Sequence, residues 1–435
     1  MRRQSPIAGV ALLAVFLLPV LARAALLDRR IDEAARRAEP GVIATRRDIH
    51  QNPELGNREV RTAKLVAARL QALGIETRTG VAHTGVVGVL RGGRAGPVVA
   101  LRADMDALPV TERVDLPFAS KVRTNYNGQD VGVMHACGHD AHVAILLGVA
   151  EVLASIRSRL PGTVVFVFQP AEEGAPEGEE GGAALMLKEG ALDNPKVDAI
   201  FGLHVTTRHA VGHIAVRPDS LMAATDTLAI KVRGKQTHGA YPWLGVDPVV
   251  AAAQVVVGLQ TITSRQLDVT LAPSVISIGV IKGGVRSNII PEEVDLLGTI
   301  RSLDAGMRDE LHARVRRTAE NIAAASGASA TVTIDGNYPA VRNDPTLFER
   351  VLPTLRRVAG NDSVKIVPPV LGAEDFAFYQ QKVPGVFFFV GVRPREVTAQ
   401  AAAPNHSPLF FVDESGLALG VRALAHVAVD FLRGR

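Results

Sequence analysis

The 435-residue sequence contains a single cysteine, Cys137, so no disulfide can form within the chain. It also lacks the run of basic residues that nucleic-acid binding requires, and we expect no nucleic-acid partner. Internal repeats and long low-complexity tracts are absent as well. What remains is a globular composition, 47% hydrophobic and 21% charged, in a chain whose length predicts two domains.

The N-terminal apolar run, residues 7–21, is shorter than the roughly 18 residues that span a bilayer. Two arginines precede it, and residues 22–24 supply an Ala-Arg-Ala cleavage pattern. We therefore predict that residues 1–24 are a cleaved signal peptide and that the protein is exported, either to the periplasm or out of the cell. An uncleaved membrane anchor is the alternative, which Pro19 near the end of the run disfavours. The arginine pair lacks the extended twin-arginine pattern, so the export route stays open.

Removal of that segment takes away three arginines and no acid, which changes the formal net charge from +4 to +1. The basic pI of the whole chain therefore says little about its partners. In an exported protein a lone cysteine is either a reactive thiol or a metal ligand. The histidines around Cys137 favour the second interpretation.

The stretch from Met134 to His142, MHACGHDAH, places Cys137 among three histidines. Thiolate and imidazole groups side by side are typical metal ligands. On a helix, Cys137 and His139 would point about 200° apart, so both can face one ion only from a turn or loop. The apolar periodicity of Ala141–Ala154 predicts a buried helix directly after them. Each residue taken singly could instead be an ordinary buried side chain.

Polar residues follow several predicted strands. Val86–Leu90 and Val98–Arg102 predict adjacent strands, and Asp104 and Asp106 alternate at the end of the second, either as solvated loop acids or as part of a site. Sites in α/β sheets lie at the carboxyl ends of strands, so a shared location is expected for all such residues. The others follow the buried runs Thr163–Gln169 and Ala199–Val205, and they are Glu172, Glu173 and His204.

The region from Ala224 to Ile334 has a different pattern from the α/β sequence around it. Its predicted order is β-α-β-β-α-β, that of a ferredoxin-like unit, and it looks inserted into the first domain. The predicted fold is thus a catalytic α/β domain, with a central sheet flanked by helices, interrupted by an inserted ferredoxin-like α+β domain. The predicted boundaries are residues 25–223 for the first part of the catalytic domain, 224–334 for the insert and 335–435 for the second part.

Five residues make up a thiolate, imidazole and carboxylate set large enough for two ions if one ligand bridges: Cys137, His139, Glu173, His204 and His406. Two close ions can share a water, lower its pKa from about 15.7 toward about 7, and polarise the attacked carbonyl. Neighbouring side chains in an extended segment point in opposite directions, so Glu172 would face this water if Glu173 binds metal. As general base it would pass the proton to the leaving nitrogen, typically worth about 10² to 10⁴ in rate. Asp106 would orient a ligand.

Nine motifs in order resemble signatures of the M20 family of metallopeptidases, and within it the amidohydrolase branch. That branch includes hippurate hydrolases, N-acyl-amino-acid amidohydrolases and the plant enzymes that cleave indole-acetic-acid conjugates. The motifs span residues 50–408, and they are HQNPELG, RADMDALPV, MHACGHDAH, FQPAEEG, GLHV, GKQTHGAYP, GGVRSNIIP, GAEDF and PNHSP.

The resemblance implies two divalent ions, with Cys137 as the bridging ligand, the other four residues of the set as further ligands, and Glu172 as general base. It implies that the insert is a lid and dimerisation domain, and hence a homodimer. His238 matches a histidine that reaches an active site, often the partner subunit's, to stabilise the oxyanion. Asn288 matches a substrate-binding position, and Arg301 is a looser match for a residue that binds the substrate carboxylate.

Two residues close to the predicted ligands in the sequence are not themselves predicted to bind metal. Asp104 lies where other branches of the family carry a metal-binding histidine, so we leave it out of the set. His142, three residues after His139, is predicted to have a structural or supporting role.

The sequence therefore predicts an exported binuclear amidohydrolase that cleaves the amide of N-acyl or N-aroyl amino acids, as in hippurate. A dipeptidase or aminoacyl carboxypeptidase of the same fold is the nearest alternative, and a secreted, non-catalytic metal- or ligand-binding protein is a more distant one. The thiolate favours zinc and the carboxylate suits manganese, so the metal stays open. The acyl group and the amino acid depend on pocket shape.

Overall fold

The computed structural model describes the backbone of residues 8–434 and the side chains of residues 25–434. The predicted signal peptide, residues 1–24, lies outside the residues whose side chains are described. The chain forms two compact units. The first comprises residues up to 216 together with 346–366 and 383–435, and the second comprises 217–345 and 367–382. The predicted insert, residues 224–334, falls within the second unit.

The helices are α1 (Ala8–Gln51), α2 (Val60–Ala72), α3 (His139–Ser155), α4 (Gly182–Lys188), α5 (Pro248–Thr261), α6 (Ala305–Ala325), α7 (Pro345–Ala359), α8 (Ala377–Gln380) and α9 (Leu417–Leu432). The strands of the first half are β1 (Glu76–Val81), β2 (Gly85–Arg91), β3 (Arg94–Asp104), β4 (Arg123–Tyr126), β5 (Gln129–Gly132), β6 (Pro161–Gln169), β7 (Ala199–Ala210), β8 (Ile214–Val216) and β9 (Asp219–Met222). The remaining strands are β10 (Ala224–Arg233), β11 (Thr237–His238), β12 (Ser274–Gly283), β13 (Ile289–Ile290), β14 (Glu293–Ser302), β15 (Ser329–Tyr338), β16 (Val341–Asn343), β17 (Val364–Ile366) and β18 (Gly385–Arg393).

The first unit is built on a mixed sheet with the strand order β1-β2-β6-β3-β7-β18-β8-β17, which confirms the predicted α/β class. The predicted adjacency of β2 and β3 is wrong. Val164 of β6 pairs with Leu90 on one side and with Val99 on the other, so β6 lies between the two strands. A continuous apolar run needs both of its edges hydrogen-bonded and both of its faces covered, and the centre of a sheet provides both.

The strands β3, β6, β7 and β18 run parallel to one another, so their carboxyl ends lie at one edge of the sheet. Asp104, the last residue of β3, pairs with Gln169, the last residue of β6. His204 lies in the neighbouring strand β7, beside Phe389 of β18. The sheet topology therefore brings together residues that are 100 positions apart in the chain.

Helix α3 is the central helix of the first unit and packs between α1, α9 and the sheet. Nearly all of its side chains are buried, as expected for a helix that is apolar on every face. It begins at His139, earlier than the predicted Ala141, so only Cys137 precedes it. Gly138 separates the two residues with a φ of 99°, and a Cβ there would lie 2.4 Å from Val205, so only glycine fits this turn.

The second unit contains an antiparallel sheet with the order β12-β14-β10-β15, covered by α5 and α6. Its elements follow the predicted order β-α-β-β-α-β. Buried apolar residues of both helices and of the sheet form a core of their own. Asp247 and Asp304 cap the two helices by accepting backbone N–H bonds, which explains where each helix begins.

Among the described residues, one helical segment, Glu414–Leu432, has the length and hydropathy to cross a membrane, and 78% of it is buried within the fold. Most of it is α9, which packs against α1 and α3 as a core helix.

Candidate metal centre

The side chains predicted as metal ligands converge at the carboxyl edge of the first unit's sheet. Among the described residues, five groups each have their potential ligand atoms within 4.8 Å of one another, and predicted ligands and Glu172 make up three of them. These three are Cys137 with His139 and His204, Cys137 with Glu173 and His406, and His139 with Glu172 and Glu173. Cys137, His139 and Glu173 each belong to two of these three groups, so the potential ligands form overlapping clusters.

His139 has one ring nitrogen held by protein and the other without a partner. Its Nδ1 lies 2.8 Å from the carbonyl oxygen of Asp106 and 3.2 Å from that residue's Oδ1. Its buried Nε2 has no hydrogen-bond partner, although Glu172 and Glu173 place carboxylate oxygens 3.8 and 3.9 Å away. An unpaired buried nitrogen costs free energy unless something binds it. A divalent cation would satisfy it, and Asp106 orients the ring as hydrogen-bond acceptors commonly orient metal-binding histidines.

Asp106 connects two of the candidate ligands. While Oδ1 faces His139, Oδ2 accepts a hydrogen bond of 2.9 Å from the backbone N–H of Glu173. Asp106 is 2% exposed and Asp104 is fully buried, so solvation of a loop does not account for either acid. The position of Asp106 suits the predicted orienting role.

His204 and His406 approach Cys137 and Glu173 respectively. The Nε2 of His204 lies 3.3 Å from the Cys137 sulfur, and its Nδ1 lies 2.7 Å from the carbonyl oxygen of Val205. The Nε2 of His406 lies 3.0 Å from Glu173 Oε1. His406 has a φ of 71°, a conformation that needs local support in a residue other than glycine.

The loop that carries His406 is tied to the cysteine turn through its backbone and through Asn405. The backbone N–H of His406 donates to the carbonyl oxygen of Ala136 at 2.7 Å. The side-chain amide of Asn405 donates to the carbonyl oxygens of Cys137 and Val205 at 2.9 and 3.2 Å. These bonds hold three separate chain segments in one arrangement around the site.

Asp104 and His142 form a buried pair behind the candidate ligands. The Nδ1 of His142 lies 2.5 Å from Asp104 Oδ1, and its Nε2 accepts a bond of 2.8 Å from the backbone N–H of Val205. Arg102 donates to the other oxygen of Asp104 at 2.6 Å. Since both nitrogens of His142 are engaged, a supporting role fits it better than metal binding.

The acid groups of the site make it electrostatically suited to cations. Burial first, and then the charges of Glu173 and Glu172, raise the pKa of the Cys137 thiol well above its usual range. Burial alone would lower the pKa of His139, but the charge of Asp104 and the contact with Asp106 outweigh it and raise that pKa to about 10. A bound divalent cation would reverse both tendencies, because it favours thiolate and neutral imidazole. The donor set therefore fits metal ions.

Burial is also the main influence on His204, whose pKa it lowers well below the ordinary value. A buried neutral imidazole is the form that binds metal. The pKa values of Glu173 and His406, in contrast, shift in the directions that favour their charged forms. Although burial opposes it, the 3.0 Å contact with His406 lowers the pKa of Glu173, and the same contact raises the pKa of His406.

The remaining predicted residues belong to the second unit. His238 is exposed in β11 and pairs with Ile289 of β13, so it neighbours Asn288, whose carbonyl oxygen accepts from Gly239 N at 2.8 Å. Arg301 lies in β14, where it pairs with Thr225 and is half-buried, and burial lowers the pKa of its guanidinium. Thus His238 and Asn288 are brought together, and Arg301 lies elsewhere in the unit.

Sequence reasoning did not identify Glu59, which is fully buried at the start of α2. Its carboxyl group accepts from the backbone N–H of Ala171, next to Glu172. The only signal in the sequence is its position just beyond the HQNPELG motif. A lone glutamate there resembles any acid in the first turn of a helix.

The network of Arg46, His50 and Asp140 was also missed. Arg46 Nε donates to Asp140 Oδ2 at 2.8 Å, and His50 Nδ1 lies 2.8 Å from the same oxygen. It joins α1 to the first turn of α3, one residue after His139. The spacing of Arg46 and His50, four apart on one helix face, indicated that they could share a partner, but not which one.

Comparison with known proteins agrees with this geometry. Residues 100–430 match the model of peptidase family M20/M25/M40. Thermostable carboxypeptidase 2 of Saccharolobus solfataricus is 41% identical over 93% of this chain and 99% of its own length. N-acetylcysteine deacetylase of Bacillus subtilis is 38% identical over 90% of this chain and 97% of its own length.

Among solved structures, a dinuclear metal binding peptidase of the M20 family from Bacillus subtilis superposes with a TM-score of 0.76. It is 36% identical, and the match covers 92% of this chain and 99% of that one. The family match over most of the chain and the near-complete overlap with these relatives lead to one assignment. This chain belongs to peptidase family M20/M25/M40 and is a metal-dependent hydrolase of amide bonds.

Proposed function

We propose that this protein is an exported binuclear amidohydrolase that cleaves the amide bond of N-acyl or N-aroyl amino acids. The observation that carries the proposal is the convergence of Cys137, His139, Glu173, His204 and His406, with Glu172 beside them. The ligands fall into several overlapping clusters, and the 36% identity to a dinuclear metal binding peptidase supports two ions. N-acetylcysteine deacetylase, with 38% identity, supports an N-acylated substrate.

Two divalent ions, zinc or manganese, would be held by these five side chains. When bound they would supply Lewis acidity and a lowered water pKa. Glu172 is 5% exposed and lies 3.8 Å from the Nε2 of His139, close enough to the ligands to accept a proton from an attacking water. Glu172 would then donate this proton to the leaving amine nitrogen. Asp106 keeps His139 and the Glu173 backbone in place while this happens.

In the second unit, His238 would donate to the developing oxyanion and Asn288 would bind substrate, with Arg301 as a binder of the substrate carboxylate. These three roles depend on the resemblance of their motifs. The adjacency of His238 and Asn288 supports the first two, since groups on neighbouring backbone segments can act on one ligand. A homodimer through the inserted domain and cleavage after residue 24 belong to the same proposal. Light scattering and N-terminal sequencing of exported protein test those two.

The test of the activity is elemental analysis of the purified mature chain, combined with amino-acid release from hippurate and N-acetyl amino acids before and after chelation. We expect close to two zinc or manganese ions per chain and hydrolysis that chelation abolishes and metal restores. Metal-free protein whose behaviour chelation leaves unchanged would contradict the proposal. Stoichiometric metal without hydrolysis across a broad panel would indicate a binding protein instead.

A carboxypeptidase acting on peptides is the second candidate, and the 41% identity to thermostable carboxypeptidase 2 favours it. The two candidate functions use the same metal centre. They differ in the group on the carbonyl side of the cleaved amide, which is an acyl group in one and an amino acid or peptide in the other. N-acetyl amino acids, compared with dipeptides and longer peptides that end in the same amino acid, distinguish them. A preference for the acetylated amino acids would support the amidohydrolase, and a preference for the peptides would support the peptidase.

A further inference from the structure

The connection between α1 and α2 contains part of the HQNPELG motif, to which the proposed chemistry gives no role. Glu59 at its end is fully buried. One carboxyl oxygen of Glu59 accepts a 2.9 Å bond from the backbone N–H of Ala171, and the other accepts a 2.5 Å bond from the hydroxyl of Thr84. A buried carboxyl group is thus held between two donors from distant segments.

Ala171 is the residue that precedes Glu172 and Glu173, and its φ is +50°. A residue with a Cβ pays roughly 1 kcal/mol or more for this left-handed conformation, so surrounding contacts must maintain it. The hydrogen bond from its N–H to Glu59 is one such contact. It acts directly on the turn from which the next two side chains project.

Other residues between α1 and α2 contact the loop of residues 170–181, which carries Glu172 and Glu173, or the segment next to Asp106. A Cβ on Gly56 would lie 3.1 Å from the Cβ of Ala171, so the two segments touch there without spare room. The side-chain amide of Asn57 donates to the carbonyl oxygen of Glu180 at 3.0 Å, near the far end of the loop. The carbonyl oxygen of Glu54 accepts from Ala107 N at 2.8 Å, one residue after Asp106.

We propose that Glu59 is a positioning residue for the proton-transfer and metal-binding carboxylates. Through Ala171 it sets the turn that presents Glu172 and Glu173, while Gly56 and Asn57 brace the same loop. The inference rests on the roles proposed above for Glu172 and Glu173. It concerns how these two side chains are held, and it assigns no contact between Glu59 and substrate or metal.

The test compares two substitutions of Glu59, one that shortens the side chain and one that removes its ionisable group. Burial, and then the charge of Asp106, raise the pKa of Glu59 to about 8. In the acid form one oxygen still accepts from Ala171 and the other donates to Thr84, and the amide of glutamine can do the same. Glu59→Gln keeps an acceptor for Ala171, whereas Glu59→Asp keeps the carboxyl group and shortens its reach by one methylene. We expect Glu59→Asp to lower kcat about 10- to 100-fold and to weaken metal affinity similarly, with KM within about threefold. We expect Glu59→Gln to stay within about threefold of wild type in all three.

Asp32→Asn serves as a matched stability control. Asp32 accepts a 2.8 Å bond from Arg422 and so links α1 to α9 in the same unit, outside the signature motifs. The Asp32→Asn substitution should lower the Tm, while kcat and metal affinity, measured below the Tm, remain unchanged. A Glu59→Asp protein that behaves in this way would overturn the proposal, and so would a Glu59→Gln protein that loses as much as Glu59→Asp.

Gly56→Ala provides an independent variant in case Glu59→Asp does not fold. The added methyl presses on Ala171 from the same connection and should reduce kcat in the same direction, and an unchanged kcat would count against the positioning role. Metal affinity separates this inference from the proposed function. If the wild type binds metal but cleaves no acylated amino acid, the proposed function fails, and the metal affinities of the two Glu59 variants still decide the role of Glu59.

Discussion

The candidate residues of the first unit and those of the second are held in opposite ways. Around Cys137, the candidate side chains other than His406 are mostly buried and contact neighbours from other segments, so their replacement comes at a cost to those neighbours. His238 is exposed, and its ring accepts from Ala240 N two residues away. The first region is held by contacts within the protein, whereas the role proposed for His238 depends on what it would bind. Substitutions should therefore couple function to stability in the first region and separate them in the second.

The largest effect is expected at Glu172. Glu172→Gln keeps the size of the side chain but removes the proton acceptor, so turnover of an N-acyl amino acid should fall about 10²- to 10⁴-fold. Metal content should stay at the wild-type value in elemental analysis. Turnover that survives the change would mean that another group takes the proton, and loss of metal would place Glu172 among the ligands.

His238→Ala should lower kcat by about 10²- to 10³-fold, the usual effect of losing an oxyanion donor. Because the ring is exposed, the Tm and the metal content should not change. His209→Ala, a histidine outside the signature motifs, is the control and should retain full turnover. A Tm that falls by several degrees in His238→Ala would remove the contrast between the two regions.

Asp106→Asn should have a smaller effect on rate and a clearer one on metal. An amide cannot accept from both the Glu173 N–H and the His139 ring, so one of the two contacts is lost. We expect metal affinity or kcat to weaken about 10- to 100-fold and the Tm to fall with it. Isothermal titration with zinc or manganese after chelation measures the affinity, and an unchanged value would show that Asp106 does not orient these ligands.

The smallest effect concerns the His406–Glu173 pair in metal-free protein. The raised pKa of His406 makes its contribution to stability complete below about 6.5, its ordinary value, and lost as the pH rises through the folded value. The lowered pKa of Glu173 makes its contribution present above about 4.3 and lost as the pH falls. Between about pH 4.3 and 6.5, the Tm of the chelated wild type should therefore exceed the Tm of chelated His406→Ala by about 2 °C or less. The difference is small because His406 is partly solvated. Equal pH profiles for the two proteins would show that the pair contributes nothing.

Local patterns in the sequence were sufficient for the elements that carry the site. The apolar run Thr163–Gln169 predicted a buried strand and β6 is one, while the periodicity after His139 predicted the buried helix that became α3. The order β-α-β-β-α-β was likewise visible, because its strands and helices differ in side-chain period and the two helices begin at capping aspartates. Side-chain period and capping are properties of neighbouring residues, so they can be recognised in the chain alone.

Other features required the folded chain. The placement of β6 between β2 and β3 depends on hydrogen bonds between segments about 70 residues apart, which no local pattern specifies. The same holds for Glu59, whose partners Thr84 and Ala171 are 25 and 112 residues away. A buried carboxyl group looks like a surface acid until its partners are known.

The sequence by itself determined which chemistry this protein can perform, because thiol, imidazole and carboxylate groups are set by residue identity, and the motif order pointed to the M20 family. Tertiary structure alone decided which nitrogen of His139 has no hydrogen-bond partner, which potential ligands cluster around Cys137, and that Glu59 bonds to the residue before Glu172. Distances of a few ångströms between groups that are distant in sequence arise only from sheet topology and packing. These distances show which of the possible ligands lie close enough together to form one site.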